Sequence, residues 1–189
     1  MRGYEVKAVT YKETKPYILG IHYAKRMPNI MFPFGLFLDG ELRGVVTFGM
    51  PASPFLCKGV CGEEFKRNVL ELNRLCLKYN IKNEASMLVS SAIKMLPRPR
   101  IIVSYADTSQ GHLGFVYQAC NFMFTGTTKP RTDIASENGK HSRHHSGDSS
   151  RRVYRSAKHR YVTFTGSKKE KRLFLNSLRY PVMKYPKHV

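Results

Sequence analysis

VLELNRLCL (Val69–Leu77), NEASMLVSSAIKML (residues 83–96) and RIIVSY (residues 100–105) follow one another with only short breaks, and these three segments decide the fold. In the first, Leu70 and Leu72 alternate with Glu71 and Asn73, the two-residue period of a strand with polar groups along one side. The second spaces its apolar residues as a helix does, with Asn83 at the N-cap position and Pro97 to stop it. The third reads as a buried strand. Strand, helix, strand in that order is a crossover unit; it joins parallel neighbours and puts functional residues at strand ends and in the turns that follow.

Working outward, residues 34–38 (FGLFL) and 42–49 (LRGVVTFG) flank Asp39-Gly40, a strong hairpin signal. Residues 15–26 (KPYILGIHYAKR) predict a helix that brings His22 and Tyr23 toward the hairpin. Downstream, residues 107–110 are expected to turn, 112–119 to form a short helix and 121–126 a strand. Residues 129–160 are crowded with Ser, Gly, His and Arg and read as a mobile loop or insertion, before a final strand at 161–165 and a short basic helix at 167–178. The expected class is α/β (α+β), a mixed central sheet with flanking helices. Residues 1–128 would form the core, 129–160 the basic loop, and 161–189 would complete the same domain.

The 189 residues carry 32 Lys and Arg against 13 Asp and Glu, a formal net charge of +19. The charge is unevenly placed: from Lys140 onward 14 basic residues face 2 acids, net +12. So much localised charge fits a polyphosphate partner better than a small metabolite. A nucleic acid, DNA or RNA, is the expected partner. Lys129, Arg131, Arg143, Arg151, Arg152, Arg155, Lys158 and Arg160 are the expected phosphate contacts. His141, His144, His145 and His159 lack the second-shell acids that metal sites use, so phosphate contact by the surrounding cations is preferred there. Cys57, Cys61, Cys76 and Cys120 read as reduced, mostly buried thiols, and the single CxxxC pair is weak evidence for zinc. No run of about 18 apolar residues could cross a bilayer and none resembles a signal peptide, so a cytoplasmic location without membrane contact is expected.

SYADTSQGH (residues 104–112) packs a carboxylate, a phenol, three hydroxyls, an amide and an imidazole directly after a buried strand. That density suits acid/base chemistry, yet Asp107 and Ser109 are also residues that cap helices, and spacing does not separate the two roles. Glu71, Asn73 and Arg74 form either a polar wall or, as the preferred reading, a Glu–Arg ion pair at the sheet edge. A lone His22 beside Tyr23 is more often structural. No Gly-rich phosphate loop, GxSxG elbow or HExxH motif is present.

ELNRL (residues 71–75), SYADTSQGHLGFVYQACNFMFTG (104–126) and KPRTD (129–133), with IHYAKRMP from Ile21, resemble the phage Mom DNA-modification proteins over roughly residues 15–135. The resemblance implies a GNAT-like acyltransferase fold. It also implies conversion of adenine in duplex DNA to N6-carbamoylmethyladenine, an anti-restriction activity in the infected host. By the same analogy the site comprises His22, Tyr23, Glu71, Asn73, Arg74, Ser104, Tyr105, Asp107, Gln110, His112 and Tyr117. Asp107 or Glu71 would be the general base, Tyr105 or His112 the proton donor, and Arg74, with Asn73, Gln110 and Tyr117, would bind the donor. The acyltransferases' pyrophosphate loop, Q/R-x-x-G-x-G/A, has no counterpart: residues 75–85 (LCLKYNIKNEA) contain no glycine. The carbamoylmethyl group is glycinamide joined through its amine, so an activated glycine such as glycyl-tRNA is the expected donor. An acyl-CoA is the alternative, and iron, with His22 and Glu71 contributing, is a further cofactor option. Two other readings compete: an N-acetyltransferase acting on RNA or protein amines, and a non-enzymatic nucleic-acid-binding protein. The missing glycines and the charge weigh against the first, and the polar cluster at 104–112 against the second.

Overall fold

The computed structural model describes residues 3–134 and 152–187, so Arg143, Arg151, His141, His144 and His145 lie outside the described residues. Strand β1 (Tyr4–Ala8) is followed by helix α1 (Tyr11–Lys15), the hairpin strands β2 (Phe32–Leu38) and β3 (Glu41–Gly49), helix α2 (Pro54–Cys61) and strand β4 (Val69–Leu77). Helix α3 (Glu84–Met95) crosses over to β5 (Arg100–Asp107). Then come α4 (Phe115–Ala119), β6 (Met123–Thr127), β7 (Arg131–Ile134), β8 (Arg152–Arg155), β9 (Lys158–Thr165) and α5 (Lys168–Asn176). Seven strands form one sheet in the order β1-β2-β3-β4-β5-β9-β6, and β7 pairs with β8 in a separate ribbon.

The hairpin forms as expected. Asp39 and Gly40 both take positive φ (48° and 85°), the conformation a two-residue turn needs to match the twist of its strands. Strand β4 has the predicted bounds, and its pairing with β5 is parallel, as the crossover requires. Asn83 does precede α3, but in a left-handed conformation with no side-chain cap. The fully buried Glu84 takes over the first turn instead: its Oε1 accepts from the Tyr4 hydroxyl at 2.9 Å and lies 3.5 Å from Arg43.

Alternation along the strands separates two apolar layers. Leu70, Leu72 and Ile102 pack with Leu88 and Val89 of α3 and Tyr117 of α4. Val69, Ile101, Val103 and Val162 face the other way, onto Cys57, Val60 and Cys61 of α2 and Phe174 of α5. Cys57 and Cys61 are therefore core thiols, and burial pushes Cys61 up to about 11.

Three expectations need correction. The helix predicted over 15–26 is α1 continued by one π turn, Pro16–Ile21. Pro16 has no N–H to donate back to Lys12, the turn widens, and His22 N closes it on Tyr17 O at 2.9 Å. His22 thus leaves the helix in extended backbone, and Tyr23 lies in the turn that Lys25 N closes on His22 O at 3.0 Å. The helix expected from His112 starts at Phe115, because Gly111 and Gly114 both take positive φ. Residues 129–160 are only partly loop: β7 and β8 pair, and β9 begins at Lys158 rather than Tyr161. Finally, β9 is last in sequence but inserts between β5 and β6, a long-range pairing that no local pattern encodes.

Candidate active site

Strands β4 and β5 pair only from Val69↔Ile101 to Leu72↔Ser104. Beyond that point β4 continues along β3 to Leu77 and β5 continues along β9 to Asp107, so the two diverge and open a wedge in the sheet. Ser104 sits at the apex, fully buried, and its Oγ donates to Leu72 O at 2.9 Å. Opposite Thr47/Phe48 a β-bulge shifts the register of β4 against β3, leaving Asn73 as the extra residue.

Two cavities meet at this wedge. The inner one, about 370 Å³, is bounded by His22, Tyr23, His112 and Tyr117. The outer one is a groove of about 1200 Å³ flanked by Arg26, Lys129, Arg131 and Arg155, with Met50, Pro51 and Phe55 of the α2 approach. Glu71, Asn73, Arg74, Tyr105 and Lys158 border both.

Glu71 stands in that shared wall, and among the described residues no donor is hydrogen-bonded to its carboxylate. The ion pair with Arg74 expected from sequence does not form. β4 is an interior strand, and Arg74 turns instead to main chain: Nε and Nη2 donate to Arg26 O at 3.3 and 3.0 Å, and Nη1 donates to Asn73 O at 2.6 Å. Burial pushes the Glu71 carboxyl up to about 7, against the pull of Arg74, Lys158 and Arg26. A carboxyl poised there titrates where a general base is most effective.

The aromatic candidates His22, Tyr23, Tyr105, His112 and Tyr117 all line the inner cavity. His22 stacks on Tyr23 at 4.5 Å between ring centroids, and Tyr23 meets His112 edge-on at 5.9 Å. Burial, with Arg74, His112 and Lys158 nearby, pushes His22 down to about 4. The ring is neutral at physiological pH, and because Nδ1 accepts from Ala24 N at 3.0 Å, its proton sits on Nε2. Burial and the Glu71 charge push the Tyr105 phenol well above its ordinary value, and burial takes Tyr117 up to about 12. Both remain proton donors.

Asp107 is placed differently from Glu71. Its Oδ1 accepts from Ser109 N (3.1 Å), Ser109 Oγ (2.8 Å) and Ser156 Oγ, and its Oδ2 pairs with Lys158 Nζ at 2.9 Å. Burial would raise its carboxyl, but these donors outweigh it and hold the group well below the usual carboxylate range. Asp107 caps the short 3-10 turn Thr108–Gln110 and ties β5 to the β8–β9 connection. A depressed carboxyl contributes stability above its ordinary value of 3.8 that is lost as pH falls below it. Asp107→Asn is therefore expected to cost about 2 kcal/mol at pH 7 and to weaken the acid sensitivity of unfolding, as urea titrations at pH 3.5 and 7 would read.

Asn73 also has a scaffolding geometry: Oδ1 accepts from Thr47 Oγ1 at 2.6 Å and Nδ2 donates to Asn29 O at 2.8 Å. With Arg74 it pins the 22–31 segment, which lies so close to β3 that a Cβ on Gly49 would sit 1.9 Å from Asn29 O. Gln110 is exposed and borders neither cavity, because the 3-10 turn carries it outward. Of the predicted phosphate contacts, Lys129, Arg131, Arg155 and Lys158 reach the groove, and Arg152 is exposed on β8. Arg160 does not: it donates to Thr125 Oγ1 and O and stacks its guanidinium 3.3 Å from the Tyr180 ring centroid. Sequence reasoning missed Arg26, Ser156 and Phe55, whose local patterns carry no signal for their place in the groove.

The family model described as the Mom protein family matches residues 3–187. The chain belongs to the Mom protein family. A curated Mom relative, the methylcarbamoylase of Escherichia phage Mu, is 28% identical over 186 residues, covering 88% of this chain and 76% of the relative. The fold is that of GNAT acetyltransferases. The ribosomal-protein-S5-alanine acetyltransferase of Vibrio fischeri superposes with a TM-score of 0.52 at 13% identity, covering 87% of this chain and 94% of its own. A putative acetyltransferase of Salmonella typhimurium, solved with its cofactor acetyl-CoA, gives 0.50 at 8% identity, covering 86% and 94%.

The residues between β4 and α3 do not form a pyrophosphate cradle in this Mom-family chain. No glycine lies there to let a phosphate approach the backbone, and the Glu84 carboxylate at the start of α3 is turned into the core against Tyr4 and Arg43. Nor do the described residues include a group of three or more His, Cys, Asp or Glu able to hold iron. No helix among them is long and apolar enough to cross a membrane.

Proposed function

We propose that this chain is a transferase that modifies the N6 amine of adenine in duplex DNA, yielding N6-carbamoylmethyladenine in the cytoplasm of an infected host. The observation that carries the reading is the Glu71 carboxylate, without a hydrogen-bond donor among the described residues and poised near 7, in the wall shared by a basic groove and an enclosed aromatic cavity. The name of the phage Mu relative, methylcarbamoylase, supports the group transferred.

The groove takes the nucleic acid and the inner cavity the reactive end of the donor, so that amine and carbonyl meet at Glu71. Glu71 accepts the proton as the amine attacks, and the protonated Tyr105 donates to the leaving group. With an activated glycine the first product is N6-glycyladenine. Attack of the glycyl amine on C6 then forms a new C6–N bond and breaks the old one, leaving the former amine as the terminal amide. All atoms are accounted for without a further reactant. A tRNA-borne glycine also accords with a basic surface larger than one duplex needs.

The test is mass spectrometry of nucleosides from plasmid DNA of cells expressing the protein, beside a Glu71→Gln control and with isotopic glycine in the medium. An adenine heavier by one carbamoylmethyl group and carrying the label supports both product and donor. Unlabelled product rejects the glycine donor, and unmodified DNA from folded protein rejects the reading. Groove binding makes a separate prediction. Lys129→Ala combined with Arg131→Ala is expected to flatten the slope of log binding constant against log salt by about 2, measured by fluorescence anisotropy on duplex DNA.

A further inference from the structure

Phe55 is the most exposed large apolar side chain among the described residues, 84% accessible, and it stands on the rim of the basic groove. It is held firmly there. Pro54 occupies the first turn of α2 and restricts its backbone, while Cys57, Val60 and Cys61 on the same short helix are buried in the core. Met50 and Pro51 line the groove beside it, so an apolar knuckle projects from a cavity whose other flank carries Lys129, Arg131 and Arg155. A flat hydrocarbon ring left in water next to phosphate-binding cations calls for a partner that offers both phosphates and apolar faces. Duplex DNA with an opened base step offers both.

The position of Glu71 requires such an opening. An adenine amine inside a duplex is stacked and paired, whereas Glu71 lies recessed in the wall of the groove, so the base must leave the stack to reach it. Resting on the DNA-modification reading above, we propose that Phe55 is a wedge: it enters the duplex and fills the gap left by the nucleotide turned out toward Glu71. Phe55 is thus a positioning residue. It makes no contact with the reacting atoms, and it stabilises the extruded state by stacking on the neighbouring bases.

The experiment uses the full chain and duplexes with randomised flanks, either intact or carrying one abasic site, since a duplex with a ready-made gap accepts a wedge at less cost. Wild-type protein is expected to bind the abasic duplex about tenfold more tightly than the intact one. Phe55→Ala should lose that preference while binding the intact duplex within about threefold of wild type. In cells, adenine modification should fall at least about tenfold in Phe55→Ala and be retained in Phe55→Trp, which keeps a stacking face. Phe55→Ala protein that keeps both the preference and the modification overturns the wedge and leaves the DNA-modification reading standing. A dimer of the wild type that dissociates on Phe55→Ala also overturns it, assigning the knuckle to a second copy of the chain. Wild-type protein that binds no duplex and modifies no DNA removes both readings together.

Discussion

Replacing Glu71 with glutamine is expected to lower the rate of adenine modification by about a thousandfold, the usual contribution of a positioned general base, while making the protein more stable. The two effects have one cause. Burial in the groove wall raises the carboxyl to about 7, so its ionised form, the one that accepts a proton, is also the form the fold disfavours. For a carboxyl raised in the folded state, the stabilising contribution is fully present below its ordinary value of 4.5 and is lost as pH rises through about 7. At pH 8 the wild type carries an uncompensated charge that the glutamine lacks, worth on the order of 2 kcal/mol. Modification rate should therefore rise with pH across neutrality, and the melting temperature of the wild type should fall relative to Glu71→Gln over the same interval. Thermal melts at pH 5 and 8 check the second point. A variant that is inactive and less stable at pH 8 would mark Glu71 as structural.

Glu84→Ala is expected to be the most damaging of the charge deletions, costing about 3 kcal/mol and roughly 10 °C in melting temperature. Its carboxylate is fully buried at the start of α3, held by the Tyr4 hydroxyl and by Arg43, whose side chain is itself largely buried and lies 4.3 Å from the Tyr79 ring centroid. Removing the acid leaves the largely buried guanidinium with only the exposed Glu41, 3.6 Å away, as counter-charge. The pair is imperfect, since Arg43 Nε and Glu84 Oε2 lack hydrogen bonds among the described residues. Replacing both members, as in Arg43→Met with Glu84→Leu, should thus cost much less than the two single changes together, because no lone charge remains. Urea denaturation of the four proteins measures this coupling.

What depends on near neighbours in the chain was legible from the residues alone. Two-residue alternation over Val69–Leu77, the Asp39-Gly40 turn and the helical spacing before Pro97 were enough for the hairpin, the parallel pair and its crossover. The charge excess and its uneven placement were equally legible, because counting needs no coordinates. The resemblance carried by residues 71–75 and 104–126 pointed to a family that the match over 3–187 bears out. The division of labour between the two carboxylates comes from long-range packing. Asp107 and Glu71 are alike in sequence, each on a strand amid polar neighbours, but Lys158 and Ser156 arrive at Asp107 from some 50 residues downstream and saturate it. Among the described residues Glu71 meets no such donor, because Arg74 turns to Arg26 O instead. Phe55 and the groove it overlooks belong to the same class. Local sequence sets which way a side chain points from its own element, but which groups surround a charge or a ring follows from long-range pairings, β9 between β5 and β6 above all, and the surroundings set its chemistry.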